Sequence, residues 1–157
     1  MQLESDLLEL TDTQGGNGAL SDLRVLDFTH YIAGPYATKL LADHGADVLK
    51  VERIGDGDGA RRIGPFPGDV PHPEKSGMFL HLNTNKRSIT LNLKSQQAQS
   101  IVKQLVEEVD VVVESFLPVR WRSLDWIMTR FVHQSAASND FDLQLRADRP
   151  ISGLQDI

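Results

Sequence analysis

Residues 23–53 restrict the fold more than any other part of the chain, because they place a helix-length segment between two short apolar runs. Leu23-Arg24-Val25-Leu26-Asp27-Phe28 reads as a strand, and Ala33-Gly34-Pro35 as a turn. Tyr36 to His44 reads as a helix with Leu40 and Leu41 on its apolar face, and Asp47-Val48-Leu49-Lys50-Val51-Glu52 as a second strand. Pro35 suits a first helical turn, where its missing N–H costs no hydrogen bond. Gly45 suits the position just past a helix end. A helix joining two strands at this spacing makes a βαβ unit and a parallel strand pair.

The pattern continues. Residues 54–76 hold many glycines and prolines without a period and read as a long irregular excursion of the kind often used for function. Ser88 to Leu93 alternates as a strand, and Ser95 is placed to cap a helix in which Ile101, Val102, Leu105, Val106 and Val109 recur at helical spacing. Asp110-Val111-Val112-Val113-Glu114 reads as a buried strand. The expected fold class is α/β, a doubly wound, Rossmann-like parallel sheet with flanking helices. Residues 1–20, with Gln14-Gly15-Gly16-Asn17-Gly18, read as a flexible lead-in, and residues 21–118 as the folded part. Beyond Pro118, residues 119–157 contain both tryptophans and show no period for helix or strand, so an irregular, poorly ordered tail is expected.

Composition removes several function classes. The chain has no cysteine, which excludes disulfides, a thiolate nucleophile and Cys-ligated zinc. The five histidines have no close metal spacing, and no metal is expected. A net charge of -6 argues against nucleic acid as the main partner. No apolar run is long enough for a membrane span, and the acidic N-terminus has neither signal-peptide nor transit-peptide character. The expectation is a soluble cytoplasmic protein. Gly55-Asp56-Gly57-Asp58-Gly59 lacks the Gly-Lys-Ser/Thr ending of a P-loop and the terminal Glu of an EF-hand, and reads as a flexible loop. No G-x-G-x-x-G follows Phe28, which argues against dinucleotide binding.

Four stretches, in order, carry a resemblance. They are Leu26-Asp27-Phe28-Thr29-His30-Tyr31-Ile32-Ala33-Gly34-Pro35, then Leu40-Leu41-Ala42-Asp43-His44-Gly45-Ala46-Asp47 with Val48 to Arg53, then Leu82 to Lys94 (L-N-T-N-K-R-S-I-T-L-N-L-K), then Asp110 to Phe116 (D-V-V-V-E-S-F). Together they resemble family III CoA-transferases, the formyl-CoA transferase and carnitine dehydratase-like group, over roughly residues 20–118. The resemblance implies coenzyme A as the bound cofactor-like substrate, and an acyl-CoA and a carboxylic acid as partners. It places His30, Tyr31, Ala33, Arg53, Leu91, Lys94, Ser115 and Phe116 around the CoA. Arg53 and Lys94 suit its phosphates, since each follows a strand end. Ser115 stands where the formyl-CoA branch has Asn, and Ile32 where it has Gln; both changes bear on the acyl substrate more than on CoA. Full-length members of the family form interlocked homodimers. Relatives with racemase or dehydratase activity, and a non-catalytic nucleotide-binding module, are the alternative readings.

The family transfers CoA through an aspartate that attacks the thioester as a covalent nucleophile. Its context, a Ser-Ile-Ser-x-Phe-Gly-Gln-Thr-Gly-Pro type motif, does not occur in this chain, and Asp125, Asp140, Asp142, Asp148 and Asp156 stand in other contexts. No catalytic residue is therefore assigned, and the chain is expected to be an inactive N-terminal fragment on its own. Residues 119–131, read one frame away with allowed codons, give T-M-A-E-L-G-L-D-Y-D-A-L, and residues 139–155 in the other frame give T-T-S-I-S-N-F-G-Q-T-G-P-Y-R-D-Y. Both strings are what the family has at this point. The expectation is that the reading frame slips near Pro118 and again between about Phe131 and Asn139; codons that forbid these peptides would rule it out.

Overall fold

The computed structural model describes residues 18–115, and the backbone of 131–134 and 142–146. The parallel sheet is β1 (Arg24–Asp27), β2 (Asp47–Glu52), β3 (Arg87–Thr90) and β4 (Val111–Glu114), in the order β3-β2-β1-β4. Leu26 pairs with Leu49 on one side and Val112 on the other, and Val51 pairs with Ile89, all in parallel register. From β1 the chain builds outward through β2 to β3, then crosses back to lay β4 on the far side of β1. The direction of winding therefore reverses between β1 and β4. Beyond β4 lie two antiparallel strands, β6 (Asp142–Arg146) against β4 and β5 (Phe131–Gln134) against β6. The sequence showed no strand period there; the remainder of 119–157, and residues 1–17, lie outside the described residues.

Alternation along the strands builds a core on each face. Val25, Val48, Val111 and Val113 point to the side covered by α1 (Ala33–Asp43), where Ala42, Ala46 and the partly buried Leu20, Leu23 and Leu41 meet them. Leu26, Phe28, Leu49, Val51 and Val112 point the other way, onto Val102, Leu105, Val106 and Val109 of and just beyond α3 (Gln96–Glu108). The inner strands β1, β2 and β4 carry apolar residues on both faces because helices cover both, whereas the edge strand β3 buries only part of Ile89 and leaves Ser88 and Thr90 exposed. The Ser95 hydroxyl accepts the Ala98 N–H, so the expected cap of α3 is present. A third helix in chain position between them, α2 (Gly77–Leu82), was not visible as a pattern; Ser76 caps it by accepting from the Phe79 N–H.

Two elements differ from the sequence reading, and one end signal holds. Helix α1 begins at Ala33, so Pro35 is its third residue, and the buried face is Gly34, Pro35, Thr38 and Ala42, whereas Leu40 is exposed. The third strand runs from Arg87 to Thr90 rather than from Ser88 to Leu93. Gly45 does stop α1: its φ is 102°, and it lies so close to Gly18 that a Cβ on it would sit 2.7 Å from the Gly18 Cα. Only glycine at both positions allows this approach.

Candidate CoA site

The residues singled out from the sequence follow the carboxyl ends of four neighbouring parallel strands. His30, Tyr31 and Ala33 follow β1, Arg53 follows β2, Leu91 and Lys94 follow β3, and Ser115 follows β4. The reversal of winding falls between β1 and β4, and the His30 N–H reaches across it to the Ser115 hydroxyl at 3.2 Å. In open α/β sheets the crevice at this reversal is where ligands bind.

A buried carboxylate fixes the end of β1. Asp27 is fully buried; its Oδ1 accepts from the Thr29 N–H at 2.8 Å and the Thr29 hydroxyl at 2.5 Å. Its Oδ2 accepts from the Thr38 hydroxyl at 2.7 Å and from Lys86 Nζ at 3.1 Å. Lys86 also donates to the Pro35 carbonyl at 2.8 Å and to Asn83 Oδ1 at 2.9 Å, so one ammonium ties β1, the first turn of α1 and the end of α2. Burial opposes both charges. For Lys86 it prevails over the attraction of Asp27 and pushes the amine down to about 8. For Asp27, burial is outweighed by Lys50, Lys86 and the two threonine hydroxyls, and its carboxyl lies below the usual range.

The glycine-rich segment after β2 is anchored by a second buried carboxylate. Asp58 is fully buried: Oδ1 accepts from the Ala60 N–H at 2.9 Å, capping a 3-10 turn at Gly59–Arg62, and from the Tyr31 N–H at 3.0 Å. Oδ2 lies 2.9 Å from Lys50 Nζ in an ion pair that is not an aligned hydrogen bond. Lys50 itself donates to the Thr29 carbonyl at 2.8 Å. The reading of residues 55–59 as a flexible loop is corrected by these contacts, which a search for phosphate and calcium motifs could not reveal. Glu52, at the end of β2, accepts two hydrogen bonds from Arg61, one from the Ser88 hydroxyl and one from the Asp58 N–H, each at 2.7–2.8 Å. Burial raises the Glu52 pKa, but the Arg61, Ser88 and Asp58 hydrogen bonds outweigh it and bring it to about 2. The Arg61 guanidinium carbon lies 3.6 Å from the centroid of the Phe79 ring.

The candidate residues divide by environment. The His30 side chain is largely buried with Nδ1 3.9 Å from Asp58 Oδ1, and burial holds its pKa below the ordinary histidine value. Tyr31 is 55% exposed and Ala33 is exposed. Arg53 and Lys94 are exposed, and among the described residues neither side chain forms an ion pair. Leu91 packs partly against the core on the α3 face, which gives it a structural role irrespective of any ligand. Phe116 lies outside the described residues. Sequence reasoning missed Asp27, Lys50, Glu52, Asp58 and Arg61 as the frame of this edge. The available signal was Lys50, a charge inside an apolar strand, since buried lysine needs a partner.

Comparison with known proteins agrees with this architecture. The family described as CoA-transferase family III matches residues 20–129, beyond Pro118 where a frame slip was expected. A succinyl-CoA:mesaconate CoA-transferase of Haloarcula marismortui is 52% identical over 99 residues, which are 63% of this chain and 25% of that protein. A formyl-CoA:oxalate CoA-transferase of Afipia carboxidovorans is 49% identical over 100 residues, 64% of this chain and 23% of the relative. The crystal structure of a CAIB/BAIF family protein from Brucella suis superposes with a TM-score of 0.59 at 33% identity, over 73% of this chain and 29% of that one. The chain thus spans about a quarter of the length of the curated relatives it matches. A family match over residues 20–129, most of the chain, together with its parallel α/β sheet, establishes that this chain belongs to CoA-transferase family III.

Proposed function

We propose that the carboxyl edge of β1 to β4 forms the coenzyme A cradle of a family III CoA-transferase that moves CoA between carboxylic acids. The observation that carries this reading is the arrival of His30, Tyr31, Ala33, Arg53, Leu91, Lys94 and Ser115 at one edge of the sheet, on both sides of the winding reversal. CoA presents a pyrophosphate, a 3′-phosphate and an adenine ring. Exposed guanidinium and ammonium groups match the phosphates, and the exposed Tyr31 and Ile32 side chains offer an apolar face.

The reaction's covalent step needs a carboxylate nucleophile attacking the acyl-CoA thioester carbon, with CoA thiolate as the leaving group. Three of the buried carboxylates of this edge are committed to internal partners: Asp27 to Thr29, Thr38 and Lys86, Glu52 to Arg61, Asp58 to Lys50 and two N–H groups. They frame the site and do not serve as that nucleophile. We therefore assign this chain the CoA-binding role and, by itself, no turnover. The shifted frame in residues 119–157 is proposed on the sequence agreement alone, and the coding DNA decides it.

Titration of the 157-residue chain with CoA and with NAD tests the reading. CoA should bind and NAD should bind more weakly or not at all. Tighter binding of NAD would overturn the assignment in favour of a dinucleotide module. An acyl-transfer assay of the chain alone should show no turnover, and turnover would refute the absence of a nucleophile.

A further inference from the structure

Tyr31 has a φ of 68°, in the left-handed region that bulky side chains rarely occupy. Such a conformation persists only where the surroundings hold it. Core packing does not do so here, because the Tyr31 side chain is 55% exposed and the next residue, Ile32, is 54% exposed. The restraint comes from below. The Tyr31 N–H donates to Asp58 Oδ1 at 3.0 Å, and the ring lies over Gly59, where a Cβ would be 2.4 Å from ring carbons.

Asp58 is itself held on several sides. Lys50 pairs with Oδ2, the Ala60 N–H donates to Oδ1, and the Asp58 N–H donates to Glu52. It sits at the end of the turn that begins at Arg53, whose carbonyl accepts the Gly57 N–H at 3.1 Å. One carboxylate thus joins the turn after β1, which carries His30, Tyr31 and Ala33, to the turn after β2, which carries Arg53.

From this geometry we infer that Asp58 is a positioning residue for the CoA site: it holds the Tyr31 turn in its left-handed conformation and fixes its spacing from the Arg53 turn. The inference rests on the CoA reading of this edge. Asp58 contacts no substrate in this role. It acts through the Tyr31 N–H.

Two measurements on the full 157-residue chain test it. In amide hydrogen exchange, the Tyr31 N–H should be protected about 100-fold or more despite its exposed side chain. An unprotected Tyr31 amide overturns the inference without any substitution. In CoA titrations, Asp58→Asn and Asp58→Glu should each weaken binding about tenfold, the loss expected when a charged hydrogen-bond acceptor is removed or displaced. Asp58→Glu keeps a countercharge for Lys50 and guards against the case in which Asp58→Asn fails to fold. Asp47→Asn breaks an ion pair to Arg87 at the opposite end of the strands and controls for general destabilisation; it should keep CoA affinity within about twofold. Asp58 variants that fold and bind CoA like the wild type would overturn the inference. CoA binding without Tyr31 protection would overturn the Asp58 role alone. A protected Tyr31 in a chain that binds no CoA would overturn the CoA reading and, with it, the role given to Asp58.

Discussion

The two ends of the same four strands handle charge in opposite ways. At the amino end, Arg87 pairs with Asp47 at 2.6 Å and Arg24 with Glu108 at 3.5 Å, all with side chains reaching solvent. At the carboxyl end, Asp27, Lys50, Glu52 and Asp58 are each 2% exposed or less. Burying charges costs desolvation that pairing only partly returns, so an apolar substitute would stabilise the fold at least as well. At the amino end the buried charge among the described residues is Asp110, 8% exposed, whose carboxylate accepts from the Arg24 N–H at 2.9 Å. The other buried charges lie at the edge with the candidate CoA residues, where the turns must adopt particular shapes. Their directional bonds specify geometry that non-directional apolar packing cannot.

The largest difference between the ends should appear on removing one partner of each kind of pair. Lys50→Ala leaves the buried Asp58 Oδ2 without its counterion and should cost about 3–5 kcal/mol in denaturant unfolding. Arg87→Ala should cost under about 1 kcal/mol, because its pair is partly solvated. Equal losses would break the comparison. Glycine substitutions sharpen it. Gly59→Ala drives a methyl into the Tyr31 ring, and Gly18→Ala drives one to 2.2 Å from the His44 carbonyl oxygen. Each should destabilise by about 1–3 kcal/mol. Only Gly59→Ala should weaken CoA binding as well.

A pH titration gives a smaller contrast. The Glu52 pKa falls from 4.5 to about 2 on folding, so its contribution is fully present above pH 4.5 and is lost as the pH drops through that interval. Glu52→Gln should remove this part of the acid slope in unfolding free energy measured between pH 4.5 and 2. An unchanged slope would show that the Arg61 pair does not hold the carboxylate ionised. The smallest effect on stability is expected at the exposed cations. Arg53→Ala and Lys94→Ala should each change unfolding free energy by less than about 0.5 kcal/mol. They should nevertheless weaken CoA binding about tenfold or more, the worth of a charge-assisted contact to phosphate. Full affinity in both variants would remove the cationic part of the site.

The sequence made the scaffold legible where side-chain period and end signals agree. Val25, Leu26, Val48, Leu49 and the Val111–Val113 run announce strands covered on both faces, and Gly45 announces the end of α1. Helix α2 escaped notice because its six residues are too few to show a period. The start of α1 was misjudged because the turn before it depends on Tyr31 in a conformation that its residue type disfavours. Tertiary contacts from Asp58 impose that conformation. Asp58 itself was hidden for the same reason: a carboxylate between glycines resembles a solvated loop until the turn after β2 folds back and sets it on Lys50. The positions of Arg53 and Ser115 just past strand ends could be read directly, since strand ends in an α/β sheet locate the ligand edge without further knowledge of side-chain contacts; Lys94 lies four residues past Thr90, the last of β3.

Hydrogen exchange of the whole chain with and without CoA tests the placement of the ligand most directly. A cradle at the carboxyl edge predicts that CoA slows exchange in the segments 29–34, 53–58, 91–95 and around Ser115, and leaves the amino-end amides of Arg24, Asp47, Arg87 and Asp110 unchanged. Protection confined to the amino end, or no protection at all under saturating CoA, would contradict it.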